Sequence, residues 1–183
     1  MMNAELTDLF SIPHSSFNIA MKTIIIGLGN PILTDDGVGV KVAYEVEKAL
    51  RLQSPISDLY VTEASAGGLR LMELMLGYDR AIIVDAFTNG SNTPGKMHRM
   101  TLDDLRAVSP TQHSASAHDT TLVTALDAGK ALGMHLPDEV VIFAIEVENV
   151  IDFSDEPTTA VAAVIPGAVT AVLHELGVEY DLP

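Results

Sequence analysis

KTIIIGLGNPILTDDGVG, residues 22–39, decides the fold. Its opening KTIIIG, residues 22–27, is an unbroken β-branched run of the kind that forms a strand buried on both faces. A glycine-rich turn follows. From residue 37 to 52, Val38, Val42, Val46, Ala49 and Leu50 then recur at helical spacing. The same change of period repeats downstream. Strands are expected at 59–63, 81–87 (AIIVDAF) and 139–147 (EVVIFAIEV), with an edge strand at 96–100. Helices are expected at 68–76, 101–108 and 118–134, the last with Leu122, Leu126 and Leu132 on or near one face. A closing helix spans 157–176, where Pro166 should kink it or divide it in two. Strands alternating with helices predict an α/β three-layer sandwich. Its twisted, mostly parallel sheet has about five strands, with helices on both faces. Ligands of such sheets bind at the carboxyl ends of the strands.

Composition narrows the chemistry. The 183 residues include no cysteine, which excludes a disulfide framework, a Cys-ligated zinc and a thiolate nucleophile. Ten Lys and Arg against 25 Asp and Glu give a net charge of −15, the wrong sign for a nucleic-acid backbone or an anionic membrane surface. After Lys130 there are ten acids and no Lys or Arg, which reads either as a solvated face or as a docking face for a basic partner segment. No run approaches the roughly 18 apolar residues of a membrane span. Residues 1–20 lack a basic start and an unbroken apolar stretch, so they read as an extension of unknown role. Residues 21–183 read as one α/β domain, and the cytoplasm is the expected compartment.

Three strand-end positions carry the candidate chemistry. In the loop 27–39 the third glycine of G-x-G-x-x-G is missing, and Asp35 and Asp36 stand where a pyrophosphate would lie, so a nucleotide is disfavoured. Thr34 as N-cap with Asp35 in the first turn explains one acid by helix capping; Asp36 is left to face a cleft. Asp85 ends an otherwise apolar strand, a costly place for a carboxylate unless it is paired, liganded or open to the cleft. Ser116-x-x-Asp119 has the form of a capping box, which puts His118 in a helix's first turn, where the positive helix end favours neutral imidazole. Two carboxylates and an imidazole on one rim would make an open three-ligand metal site. No H-E-x-x-H or G-x-S-x-G is present, which argues against an ordinary zinc protease or serine hydrolase.

Taken together, GLGNPILTDDGVG, AIIVDA and SASAHDTTLVTAL, in that order over about residues 21–176, resemble the hydrogenase maturation endopeptidases. The resemblance implies a twisted, mostly parallel sheet between helix layers. It also implies removal of a C-terminal peptide from the precursor of a [NiFe] hydrogenase large subunit once nickel has been inserted. Nickel already held by the precursor's cysteines would be the recognition element, contacted by Asp36, Asp85 and His118. Asp36 stands where some members carry Glu. Glu63 matches an acidic strand-end position and is a candidate secondary contact, and His113 competes with His118 for the imidazole role. Either the metal or a carboxylate, Asp36 or Asp85, would activate water; a purely positional metal is equally compatible. Two other readings stand beside this one. The same trio would serve a nickel-dependent docking or chaperone module that does not cut. GLGNP also opens peptidyl-tRNA hydrolases, but their Thr-Arg-His-Asn stretch is absent here.

Overall fold

The computed structural model describes residues 21–52, 58–88, 93–108 and 117–178, with the backbone alone for 108 and 117–121. The extension 1–20, His113 and the side chain of His118 lie outside the described residues. The β-branched run becomes strand β1 (Thr23–Leu28), buried at every position as its composition requires. A short 3-10 turn (Thr34–Gly37) leads into helix α1 (Val38–Arg51). The remaining elements are β2 (Leu59–Ala64), α2 (Leu69–Leu74), β3 (Arg80–Phe87), β4 (Met97–Thr101), α3 (Leu102–Val108), α4 (Ala117–Ala131), β5 (Glu139–Glu146) and α5 (Thr159–Glu175).

The sheet order is β2-β1-β3-β5-β4. All pairings are parallel except β4 with β5, which is antiparallel. Alternation along each strand sorts the core into two layers. Ile25, Ile82, Val84, Val141, Phe143 and Ile145 meet α1 and α5 through Val38, Val42, Val46, Val161, Val169 and Val172. On the other face Ile24, Ile26, Leu28, Ile83, Val140 and Ile142 meet α2, α3 and α4 through Leu71, Met72, Leu105, Leu122 and Leu126. Each fully buried aliphatic side chain of this kind contributes roughly 1.5–3 kcal/mol of transfer free energy. The expected three-layer α/β sandwich is thus the observed architecture.

Two local expectations are corrected. Leu132 does not join Leu122 and Leu126; it lies just past the end of α4 and is 76% exposed. Pro166 does not divide the closing helix, since α5 runs unbroken. The ring stands on the exposed side, so the hydrogen bond it deletes is lost where water reaches, while buried Val161, Ala168, Val169, Val172 and Leu173 hold the helix down. Thr101 and Asp104 cap α3 reciprocally: Thr101 N–H donates to Asp104 Oδ2 (2.7 Å), and Asp104 N–H donates to Thr101 Oγ1 (3.3 Å).

An ionic clamp ties the end of α5 to the amino edge of the sheet. Glu175 accepts from Arg99 Nε (2.8 Å) and Nη2 (3.0 Å) and from Arg80 Nη2 (2.6 Å). The Arg99 hydrogen bonds, reinforced by the charges of Arg99 and Arg80, hold the Glu175 carboxyl below the usual glutamate range. A depressed carboxyl stabilises the fold fully above its unfolded value of about 4.3 and loses that contribution as pH falls through the folded value. Thermal unfolding from pH 7 to pH 3 should therefore show Glu175→Gln less stable than the parent at pH 7, with the gap closing on the acid side. A gap that does not depend on pH would show that Glu175 acts through packing alone.

Candidate active site

Chain order in the sheet creates one crevice. From β1 the chain crosses to β2 on one side and then to β3 on the other, so the carboxyl ends of β1 and β3 flank a topological switch point. Glycines let the backbone close in there. A Cβ on Gly39 would meet Val84 O at 2.2 Å and Leu28 O at 2.4 Å, so only glycine admits the start of α1 between these strand ends. Gly29, at φ +126°, has the Asp36 carbonyl 1.8 Å from where a Cβ would stand, which folds the acidic turn back over the end of β1.

Asp36 lies in the turn that follows β1, and Asp85 lies near the carboxyl end of β3. Asp36, half-buried in the 3-10 turn, accepts a hydrogen bond from Asn30 N–H (2.6 Å), which fixes the carboxylate toward the loop after β1. Asp85, on β3, is 5% exposed. Alternation with Ala81 and Ile83 puts it on the face covered by α4. The end of α4 leads to β5 at the amino edge, where Asp138 N–H donates to Asp79 O (3.0 Å). The fifteen residues of α4 span about 22 Å at 1.5 Å each, so its first turn, with His118, stands at the opposite, carboxyl edge. The fold therefore brings the backbones bearing Asp36, Asp85 and His118 to one edge. Among the described residues, no three His, Asp or Glu side chains form a metal-holding group. Asp36 and Asp85 supply carboxylate oxygens at this edge.

Asp35 plays a different part from the one expected. It does not cap its own helix, and neither does Thr34: a 3-10 turn intervenes, Gly37 is the N-cap of α1, and neither terminus has a side-chain cap. Fully buried Asp35 instead accepts from the backbone N–H of Glu148 (3.3 Å), Asn149 (3.0 Å) and Thr158 (2.7 Å) and from the Thr158 hydroxyl (3.1 Å). Thr34, at φ +47°, is held by its hydroxyl donating to Asp152 O (2.6 Å) and its N–H donating to Ser154 O (2.9 Å). A left-handed threonine costs of order 1–2 kcal/mol, so these bonds set the turn that presents Asp36.

Glu63 does not join the pair. It follows Leu59 and Val61 on the face of α1 and α5, opposite to Asp85, and lines a groove of about 710 Å³ with Pro31, Tyr44 and Ile165. Sequence reading missed two residues on Asp85's own face. His98 of β4 and Asp85 of β3 both register with Ala144 of β5, so they lie in one row across three strands. One step further, Glu146 is 3% exposed; its Oε1 is 2.9 Å from His98 Nε2, and its other oxygen accepts from the Thr93 hydroxyl. An acid closing an apolar strand was the available signal for Glu146, as it was for Asp85. Nothing in the sequence marked His98, because its partner lies 48 residues away.

Known proteins share both the sequence pattern and the fold. Residues 40–175 match the family model described as hydrogenase maturation protease. The chain belongs to the hydrogenase maturation protease family. The protease is 28% identical over 161 residues to the hydrogenase 2 maturation protease of Escherichia coli K12, covering 87% of this chain and 94% of that protein. It is 26% identical over 157 residues to the hydrogenase expression/formation protein HupD of Rhizobium leguminosarum bv. viciae, covering 86% of this chain and 75% of that one. The structure of the E. coli hydrogenase maturating endopeptidase HybD superposes with a TM-score of 0.70 at 24% identity, over 86% of this chain and 93% of that one, and so shares its fold. The protease's matched segment begins at Val40, just past the acidic turn, and includes Asp85 and His118. Among its described residues no helix is long and apolar enough to cross a membrane.

Proposed function

We propose that this protease removes the C-terminal extension of a [NiFe] hydrogenase large-subunit precursor after nickel insertion, acting in the cytoplasm and reading the bound nickel. The reading is supported by the family match over residues 40–175 and by Asp36 and Asp85 near the carboxyl ends of β1 and β3, in a chain without a single cysteine. The nickel belongs to the substrate, whose thiolates hold it. Asp36, Asp85 and His118 are the groups this chain offers toward it, so only a loaded precursor would present an ion to them. Hydrolysis adds water to the scissile carbonyl carbon, breaks its C–N bond and delivers a proton to the leaving amine. A carboxylate at the crevice serves as general base for the water. Asp36, half-buried with one oxygen held by Asn30 N–H, is the better placed for contact with solvent; Asp85 orients the loaded segment.

Incubation of purified precursor with the protease, followed by intact mass measurement, tests this reading. Nickel-loaded precursor should lose a C-terminal peptide, and nickel-free precursor should keep its mass. Cutting of both forms would overturn nickel recognition. A stable complex of unchanged mass would show a docking module in place of a protease.

A further inference from the structure

Two loops at the carboxyl edge are bonded into one unit beside Asp36, and they carry exposed apolar side chains. Thr34 N–H donates to Ser154 O (2.9 Å), Ser154 N–H to Ile32 O (3.1 Å) and Asp35 N–H to Asn149 O (3.0 Å). Asn149 Oδ1 in turn accepts from the N–H of Ile151 (3.3 Å) and Asp152 (3.1 Å). Within this braced unit Ile151 and Phe153 are each 81% exposed and Ile32 is 54% exposed. Single exposed aliphatics need no explanation. Three on two loops that are hydrogen-bonded to each other, one of them the loop that presents Asp36, form a preorganised surface that loses little entropy when covered. Its surround is mainly acidic: Glu148, Asp152, Asp155 and Glu156 are exposed and residues 147–158 contain no Lys or Arg, while Lys41 of α1 donates to Asp155 O at its margin.

We propose that Ile32, Ile151 and Phe153 are the docking platform for the precursor. The surface seated on them presents apolar side chains flanked by Lys or Arg, and its docking brings the segment to be cut alongside Asp36. The inference deepens the function proposed above and rests on it. The apolar contacts give affinity, and the acidic surround selects a basic rim and speeds encounter. Four of the ten acids after Lys130 thereby gain a place in the structure, at the carboxyl edge.

Binding of the full-length protease to purified nickel-loaded large-subunit precursor is the test, with cleavage read separately by mass. Ile151→Ser combined with Phe153→Ser should weaken Kd about thirtyfold, the effect of losing hot-spot anchors, with an unchanged melting temperature. Asp155→Asn combined with Glu156→Gln should flatten the salt dependence of the association rate. Unchanged Kd in the apolar variant overturns the proposal, as does failure of the parent to bind. So does a shift of the parent from dimer to monomer caused by Phe153→Ser, which would assign the surface to a second copy of this chain. A parent that binds through this platform without cutting leaves the docking surface standing and overturns the proteolytic role toward that precursor.

Discussion

Asp36→Ala, Asp85→Ala and His118→Ala should each abolish processing of nickel-loaded precursor while the protein stays folded. For Asp36 the expected loss is at least about 10²–10⁴-fold in rate, the usual contribution of a positioned general base, and for Asp85 and His118 the loss follows from a loaded segment that is no longer held. Folding should survive for separate reasons at the two acids. Asp36 is half-buried and takes its hydrogen bond from Asn30 N–H, so removing it exposes one loop amide that water can reach, at a cost of about 1 kcal/mol. Asp85 sits at 5% exposure beyond Ile83 on β3, where Asp85→Asn keeps the shape and removes the buried charge. Asp85→Asn should therefore stay folded and still fail to process. Mass analysis of the precursor together with thermal unfolding measures both properties. Full cleavage by all three alanine variants would remove these residues from the site.

The neighbouring acid should behave in the opposite way. Asp35→Ala is expected to destabilise the fold by about 3–5 kcal/mol, because it strands three backbone N–H groups and a hydroxyl that a buried carboxylate now satisfies. In a chain of this size that lowers the melting temperature by roughly 10 °C. Activity should fall as well, but as a consequence: the loop from Glu148 to Thr158 would part from the turn that presents Asp36. The two effects separate on cooling. Below its melting transition Asp35→Ala should recover part of its processing, and Asp36→Ala should recover none. Equal melting temperatures for Asp35→Ala and the parent would mean that water replaces the carboxylate in holding the two loops together.

These two predictions mark where sequence reading stops. Asp35 and Asp36 are the same side chain one residue apart in one loop, and helix-capping logic assigned Asp35 to its own helix. That assignment failed because the bonds Asp35 accepts come from residues 113 to 123 positions later. Leu132 was misplaced for a simpler reason: helical period carries no information about where the helix ends, and α4 stops at Ala131. Pro166 leaves α5 continuous because its cost depends on which side of the helix faces water. The Glu146–His98 pair was missed because β4 lies antiparallel beside β5, a pairing that no local pattern announces.

By itself the sequence determined the layer architecture and which acids stand at strand ends. These follow from local period: β-branched runs pack best on a pleated sheet, and the 3.6-residue recurrence of valines and leucines gives each helix one apolar face to lay on it. Its three ordered motifs also pointed to the family that the residue 40–175 match establishes. Tertiary structure alone decided that Asp35 is the buried acid bonded to the loop 148–158, that Glu63 lies on the far face, and that Ile32, Ile151 and Phe153 share one braced edge. The reason is reach. A periodicity argument extends over one element, whereas each of these outcomes is set by hydrogen bonds and register between elements far apart in the chain.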